Sequence, residues 1–264
     1  ELYKKSITIF PNSPDAYSNL GSIFKGLGKL PQAKIAASKA IELKSDFAEA
    51  HNLIGGIYKD LGNLKKAIVS TQKAIEIKPD FAIAHSNLGS ILIDSGRLHE
   101  AEISTQKAIK LNPVCALSHS NLGYILKELG KPEDAEIACR RAIELKPNHS
   151  KAHLNLGAIL TDMGKQQEGL LSYLKAIEVS PHESYNYALT AGFLKESDVS
   201  KLSQDSLEDI LSLLIERDDI EHRHLFKALN SLYNDETLLK LNETENNILQ
   251  DSLFYKIFNN RLLI

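Results

Sequence analysis

His85-Ser86-Asn87-Leu88-Gly89 returns unchanged as His119-Ser120-Asn121-Leu122-Gly123, 34 residues further on. Looser copies stand at Tyr17-Ser18-Asn19-Leu20-Gly21, His51-Asn52-Leu53-Ile54-Gly55 and His153-Leu154-Asn155-Leu156-Gly157, again 34 apart with no insertion or deletion. A fixed period of this size marks a stacked-repeat architecture, whose units bury their apolar faces only against neighbouring units. Outward from the pentapeptide, each period holds two helical patterns flanking a glycine: Gly28, Gly62, Gly96, Gly130 or Gly164. A residue without Cβ adopts the left-handed turn that ends a helix at little cost. In the second helix, Ala101, Thr105 and Ala108 recur at i, i+4 and i+7, one face of small residues that lets two helices approach closely. Pro79, Pro113, Pro147 and Pro181 then halt the helix, since proline lacks the N–H and restricts the residue before it.

The expected domain order follows. Residues 1–13 read as the second helix of a truncated unit, closed by Pro11; five units span 14–47, 48–81, 82–115, 116–149 and 150–183. Past Pro181 the period is lost, and 184–264 reads as a helical capping or linker region, itself cut short. Its stripes are Leu207, Ile210, Leu211, Leu214 and Ile215, with Ser206 as N-cap and Asp209 three residues on; then Leu225, Phe226, Leu229, Leu232 and Tyr233; then Ile248, Leu249, Leu253, Phe254 and Ile257. Helices of this kind would cover the open face of the last unit, as a solenoid requires. The start at Glu1-Leu2-Tyr3, without Met or a signal-like segment, and the apolar stop at Arg261–Ile264 both suggest a piece of something longer.

Composition sets the limits. With 43% hydrophobic and 25% charged residues, a buried core is available. The net charge of −3 divides unevenly, +4 over residues 1–181 and −7 over 182–264, and neither part is basic enough for nucleic acid as a primary ligand. Cys115 and Cys139 form neither a CxxC motif nor a disulfide framework, which favours a reducing compartment, and the expected location is cytoplasmic. No apolar run approaches the ~20 residues of a membrane span.

The repeat resembles the tetratricopeptide family. That pattern has a large residue, then Leu-Gly, an aromatic or large apolar residue, Ala, a large residue, Ala and Pro. In the second unit these slots are His51, Ile54-Gly55, Tyr58, Ala67, Thr71, Ala74 and Pro79. Three departures stand out: the Trp slot holds Tyr17 once and His four times, Ser45 replaces the first closing Pro, and Gly169 replaces Ala, a loss of roughly 0.5–1 kcal/mol. The resemblance covers residues 1–183. It implies an all-α, right-handed superhelix, an α-solenoid of helix-turn-helix repeats followed by a non-repeat helical segment, whose first helices line a concave groove. It also implies an adaptor that holds an extended peptide or partner helix there.

Directly before the Leu-Gly pair sit Asn19, Leu53, Asn87, Asn121 and Asn155, with Asn52 beside the interruption at Leu53. A carboxamide offers both donor and acceptor to a peptide backbone, so one per repeat would form a ladder. The ladder is similar to that in the repeat superhelix of O-GlcNAc transferases. The competing reading is that these amides bond the next repeat and bind nothing. Four neutral rungs would contribute about 2–6 kcal/mol before ordering costs, a sequence-tolerant grip whose specificity must come from elsewhere. Lys25, Lys59 and Lys127 share a slot facing the same way, with Ile93 and Thr161; they suit an acidic partner or, given Asp60, Asp94, Glu128 and Asp162, a solvated mixed-charge face. The Lys/Asn/Arg set of chaperone-binding members is not matched.

His51, His85, His119 and His153 invite a metal, but packed helices lie ~8–10 Å apart while zinc needs nitrogens within ~2.1 Å. They read as packing residues, as does Cys139; His222 and His224 lack further ligands nearby. There is no GxSxG, HExxH, P-loop or useful acid/base pair, and Gly55-Gly56 belongs to the repeat. No catalytic residue, metal or cofactor is therefore expected. The stretch from Leu213 to Asn234 resembles the region after the repeats in long picocyanobacterial tetratricopeptide proteins, several of which continue into a class I S-adenosylmethionine-dependent methyltransferase.

The expected function is a non-catalytic protein–protein interaction scaffold, with a protein or extended peptide as partner and no nucleic acid, membrane or small-molecule cofactor. The alternatives are the substrate-recognition arm of a methyltransferase or glycosyltransferase whose catalytic domain lies outside this chain, and a structural spacer or self-associating array.

Overall fold

A computed structural model describes residues 12–215 together with 217, 219, 220, 225, 228, 229 and 231. The expected helix at 1–13 (save its last two residues), Phe226, Leu232 and Tyr233 of the second stripe, the third stripe, and His222 and His224 lie outside the described residues. The chain parts between Lys131 and Pro132 into two units.

The first unit holds α1 (Pro14–Gly26), α2 (Leu30–Leu43), α3 (Ala48–Asp60), α4 (Leu64–Ile77), α5 (Ala82–Asp94), α6 (Leu98–Leu111) and α7 (Ala116–Glu128). The second holds α8 (Pro132–Leu145), α9 (Ser150–Asp162), α10 (Gln166–Val179), α11 (Ser184–Glu196), a 3-10 turn at Val199–Lys201 and α12 (Gln204–Ile215). These twelve helices form consecutive helix-turn-helix pairs, and among the described residues there is no strand.

The turn within each pair is built as its glycine demands. Gly28, Gly62, Gly96, Gly130 and Gly164 sit at φ of +69° to +77°. The residue after each donates its N–H back to the last helical turn, as Arg97 does to Leu92 at 2.9 Å, which is the Schellman closure. Four second helices stop just ahead of a proline, but proline is not required for the stop. Lys44 N–H reaches the Ala40 carbonyl at 3.0 Å ahead of Ser45, just as Lys78 N–H reaches that of Ala74 at 2.9 Å ahead of Pro79.

Packing repeats as the sequence does. Ile57, Ile91 and Ile125 in the first unit, and Ile159 in the second, are fully buried at 34-residue intervals. Ala67 and Ala101 let neighbouring helices close on the same core as Ile91 and Leu92. At Gly89 a Cβ would overlap the hydroxyl of Thr105, and at Gly157 it would meet the ring of Tyr173 at 3.1 Å. Gly169, expected as a weak point, has a local reason. The Thr161 hydroxyl, donating to the Gly157 carbonyl at 2.8 Å, occupies the space an alanine methyl would need.

Beyond Pro181 the structure keeps the register for one more helix. Helix α11 starts 34 residues after α9, and Tyr187 and Phe193 fall one period after His153 and Ile159. The stripe of α12 is buried in full, packed with Leu170, Tyr173, Ile177 and Leu194 in one apolar cluster. Leu225, Ala228 and Leu229 join it. The N-cap of α12 is Ser203, not Ser206, because the Ser206 N–H donates to the Ser203 hydroxyl at 3.3 Å.

Candidate functional site

The pentapeptide places its residues on the first helix of each pair, and their burial differs by repeat. Asn19 is exposed, Asn87 and Asn155 are half-buried, and Asn52 and Asn121 are buried. Asn52 occupies the slot of Ser18, Ser86 and Ser120, one residue ahead of the expected rungs. From there its Oδ1 accepts from Asn87 Nδ2 at 2.9 Å, so carboxamides of successive repeats meet across the interruption at Leu53. The Ser118 hydroxyl likewise donates to that of Ser86 at 3.0 Å. Asn121 is 1% exposed, and neither of its amide atoms finds a partner.

The lysines are engaged. Lys25 pairs with Asp60 at 2.9 Å, Lys59 with Asp94 at 3.3 Å while also donating to the Ser90 hydroxyl at 2.7 Å, and Lys127 with Glu128 at 3.2 Å. The first two pairs run from one repeat to the next, so this face is internally compensated.

The histidines hold carbonyls. The Nε2 atoms of His51, His85, His119 and His153 lie 2.8–3.0 Å from the carbonyls of Ser45, Pro79, Pro113 and Pro147, six residues back in each case. The Tyr187 hydroxyl does the same to Pro181 at 3.1 Å. A carbonyl can only accept, so each Nε2 carries the proton. This side chain therefore pins the loop that enters its own helix. No group of three or more potential metal ligands gathers among the described residues. Burial pushes the Cys139 thiol up to about 12, which leaves it an inert packing residue.

One feature of the first-helix face went unread in the sequence. A cavity of about 170 Å³ opens between α5 and α7, lined by Ile83, Ser86, Asn87, Asn112, Leu117 and Ser118 among others. Of its lining Ile83 and Leu117 are exposed, as is Val114 next to Cys115 in the chain. Equivalent positions elsewhere carry Glu49 and Lys151, or Asp46, Asp80 and Asn148, so the signal was a local break in polarity within the period.

Tetratricopeptide repeat models match residues 2–35, 82–115, 116–149 and 150–183, and a TPR repeat model matches 55–96, together more than half of the chain. The chain belongs to the tetratricopeptide repeat family. No curated protein matches it. Among solved structures it is similar to YrrB, described as a TPR protein with an unusual peptide-binding site, at 23% identity over 70% of this chain and 96% of that one, with a TM-score of 0.53. It is also similar to PilF of Pseudomonas aeruginosa, at 22% identity over 93% and 96% of the two chains, with a TM-score of 0.56. The Cut9–Hcn1 hetero-tetramer of the APC/C matches at 15% identity over 87% of this chain and 45% of that one, with a TM-score of 0.73. A tetratricopeptide array is a protein–protein interaction scaffold, with protein or peptide partners. No helix among the described residues is long and apolar enough to cross a membrane.

Proposed function

We propose that this tetratricopeptide array is a non-catalytic module that holds an extended peptide along the first helices of its first unit, with Asn19 and Asn87 facing the ligand backbone. The observation that carries this reading is the cavity beside Asn87, with Ile83 and Leu117 exposed at its edge. Amide rungs alone give a sequence-tolerant grip, and an apolar notch of about 170 Å³ supplies the missing selectivity by admitting one aliphatic side chain of the ligand. The Asn52–Asn87 bond adjusts the ladder: Asn52 orients Asn87 rather than adding a rung. The lysines contribute little to choice of ligand, because Asp60 and Asp94 already compensate Lys25 and Lys59.

The test is selection from a displayed library of random peptides, followed by fluorescence anisotropy of the recovered sequences. Recovered peptides should share an aliphatic residue and lose tenfold or more in affinity against Leu117→Asp, and similarly against Asn87→Ala. Thermal melts of both variants separate lost binding from lost fold. Undiminished binding by folded variants would remove this reading.

A further inference from the structure

The outer surface of the second helices carries a feature that peptide binding on the first helices does not use. Ile35, Val69 and Ile103 in the first unit are 72%, 66% and 69% exposed, and Ile137 and Leu171 in the second are 68% and 51% exposed. All five hold one slot of the 34-residue period. Scattered exposed aliphatics are ordinary, but one per repeat at a fixed position is a row of knobs.

The surroundings of the knobs differ between the units in sign. On α2, α4 and α6, the exposed or half-buried cations Lys34, Lys39, Lys65, Lys66, Lys73, Lys107 and Lys110 outnumber Glu42, Glu76, Glu100 and Glu102, a net of +3. On α8 and α10, Glu133, Asp134, Glu136, Glu144, Glu168 and Glu178 outnumber Arg140, Arg141 and Lys175, a net of −3. Helix α6 is the sharpest case. Elsewhere the residue four after the knob pairs with a glutamate three further on, as in Lys39–Glu42, Lys73–Glu76, Arg141–Glu144 and Lys175–Glu178 at 2.7–3.0 Å. In α6 those places hold Lys107 and Lys110, two cations that have no ion-pair partner among the described residues.

The second unit also offers a receptacle. Between α8 and α10 lies an open hollow of about 390 Å³, with Ile143, Leu156 and Leu171 as its apolar lining and Arg140, Glu144 and Lys175 at its border. An exposed aliphatic knob of another copy can seat in this hollow, with the charged border meeting the charges around the knob.

We infer that these faces meet in a second copy of this chain: the cationic, knobbed face of α2, α4 and α6 of one copy docks on the acidic face of α8 and α10 of another. Opposite net charge sets the pairing and disfavours each face meeting its own kind. The two surfaces are different, so the contact is heterologous. It closes as a ring where the rotation between copies returns to the start and continues as a chain of copies where it does not.

Sedimentation velocity of the 264-residue chain, from about 1 to 100 μM, tests this directly. Reversible association that rises with concentration and weakens as salt is raised is the expected result. Val69→Asp/Ile103→Asp changes only exposed positions, so it should leave the thermal melt in place while weakening association tenfold or more. Lys107→Glu/Lys110→Glu should weaken self-association too. Its mixture with Glu133→Lys/Asp134→Lys should associate more strongly than either variant alone. A chain that stays monomeric throughout overturns the proposal, as does association that none of these substitutions alters.

Discussion

Asn87 reaches back 35 residues to Asn52 and donates its side-chain amide at 2.9 Å, tying the third repeat to the second through their carboxamides. The bond is part-buried, so its net contribution should lie near 1 kcal/mol rather than at the larger cost of stranding a fully buried group. Asn52→Ala and Asn87→Ala should each lower unfolding free energy by about 0.5–1.5 kcal/mol in urea. In the double variant the losses should fall short of additive by about 1 kcal/mol, because the second change removes nothing further from the pair. Strict additivity would show that the two amides act independently in solution.

The same pair marks how far the sequence could be read. The period fixed where helices start, because Gly at a left-handed turn and small residues at i, i+4 and i+7 each have one local cause. The Asn slot was legible as a slot, but not its outcome in each repeat. Asn52-Leu53, standing where the other repeats of the unit have Ser-Asn, moves one amide to the neighbouring position, where it accepts a bond from the next repeat. The cavity was hidden for another reason: its lining comes from residues as far apart as Ala82 and Ser118, which no single helix pattern displays. The register of α11 could have been seen in Tyr187, placed one period after His153, although Thr190-Ala191 stands where Leu-Gly would be.

The histidine clamps predict a tautomer. Because Nε2 of His85 and His119 donates to the carbonyls of Pro79 and Pro113 at 3.0 and 2.9 Å, their neutral rings should carry the proton on Nε2. Long-range proton–nitrogen correlation spectra of the imidazoles distinguish the two nitrogens. A predominance of Nδ1–H would mean that the clamps do not persist in solution. His119→Phe keeps the bulk and loses the bond, and should cost about 0.5–1.5 kcal/mol.

The two cysteines should separate cleanly toward thiol reagents. Cys139 is fully buried with its thiol pushed up to about 12, whereas Cys115 is half-buried and lines the cavity between α5 and α7. The thiolate is the reactive species, so the native chain at pH 8 should label promptly at Cys115 and at Cys139 only on unfolding. Mass mapping after a short maleimide pulse reads both sites. A peptide seated in the cavity should slow labelling of Cys115 and leave Cys139 unchanged. Prompt native labelling of Cys139 would contradict the packing of α8.

Glu136 connects stability to pH. Its Oε2 lies 2.8 Å from Lys165 Nζ and its Oε1 2.7 Å from Arg140, and the hydrogen bond from Lys165, then that from Arg140, holds the carboxyl below its ordinary value. The unfolded chain therefore takes up this proton more readily than the folded one, and stability rises with pH wherever that difference operates. The contribution is complete above the ordinary glutamate value of about 4.3 and is lost as pH falls through the lower, folded-state value. Lys165 and Arg140 are 41% and 48% exposed at their side chains, so solvent screening keeps the effect at or below about 1 kcal/mol. Glu136→Gln should be less stable than the parent chain at pH 7 by that amount and should converge with it as pH falls through the folded-state value. Urea unfolding at pH 7 and across the acid range measures the difference. A deficit that is undiminished in acid would assign the stabilisation to packing of the side chain rather than to its charge.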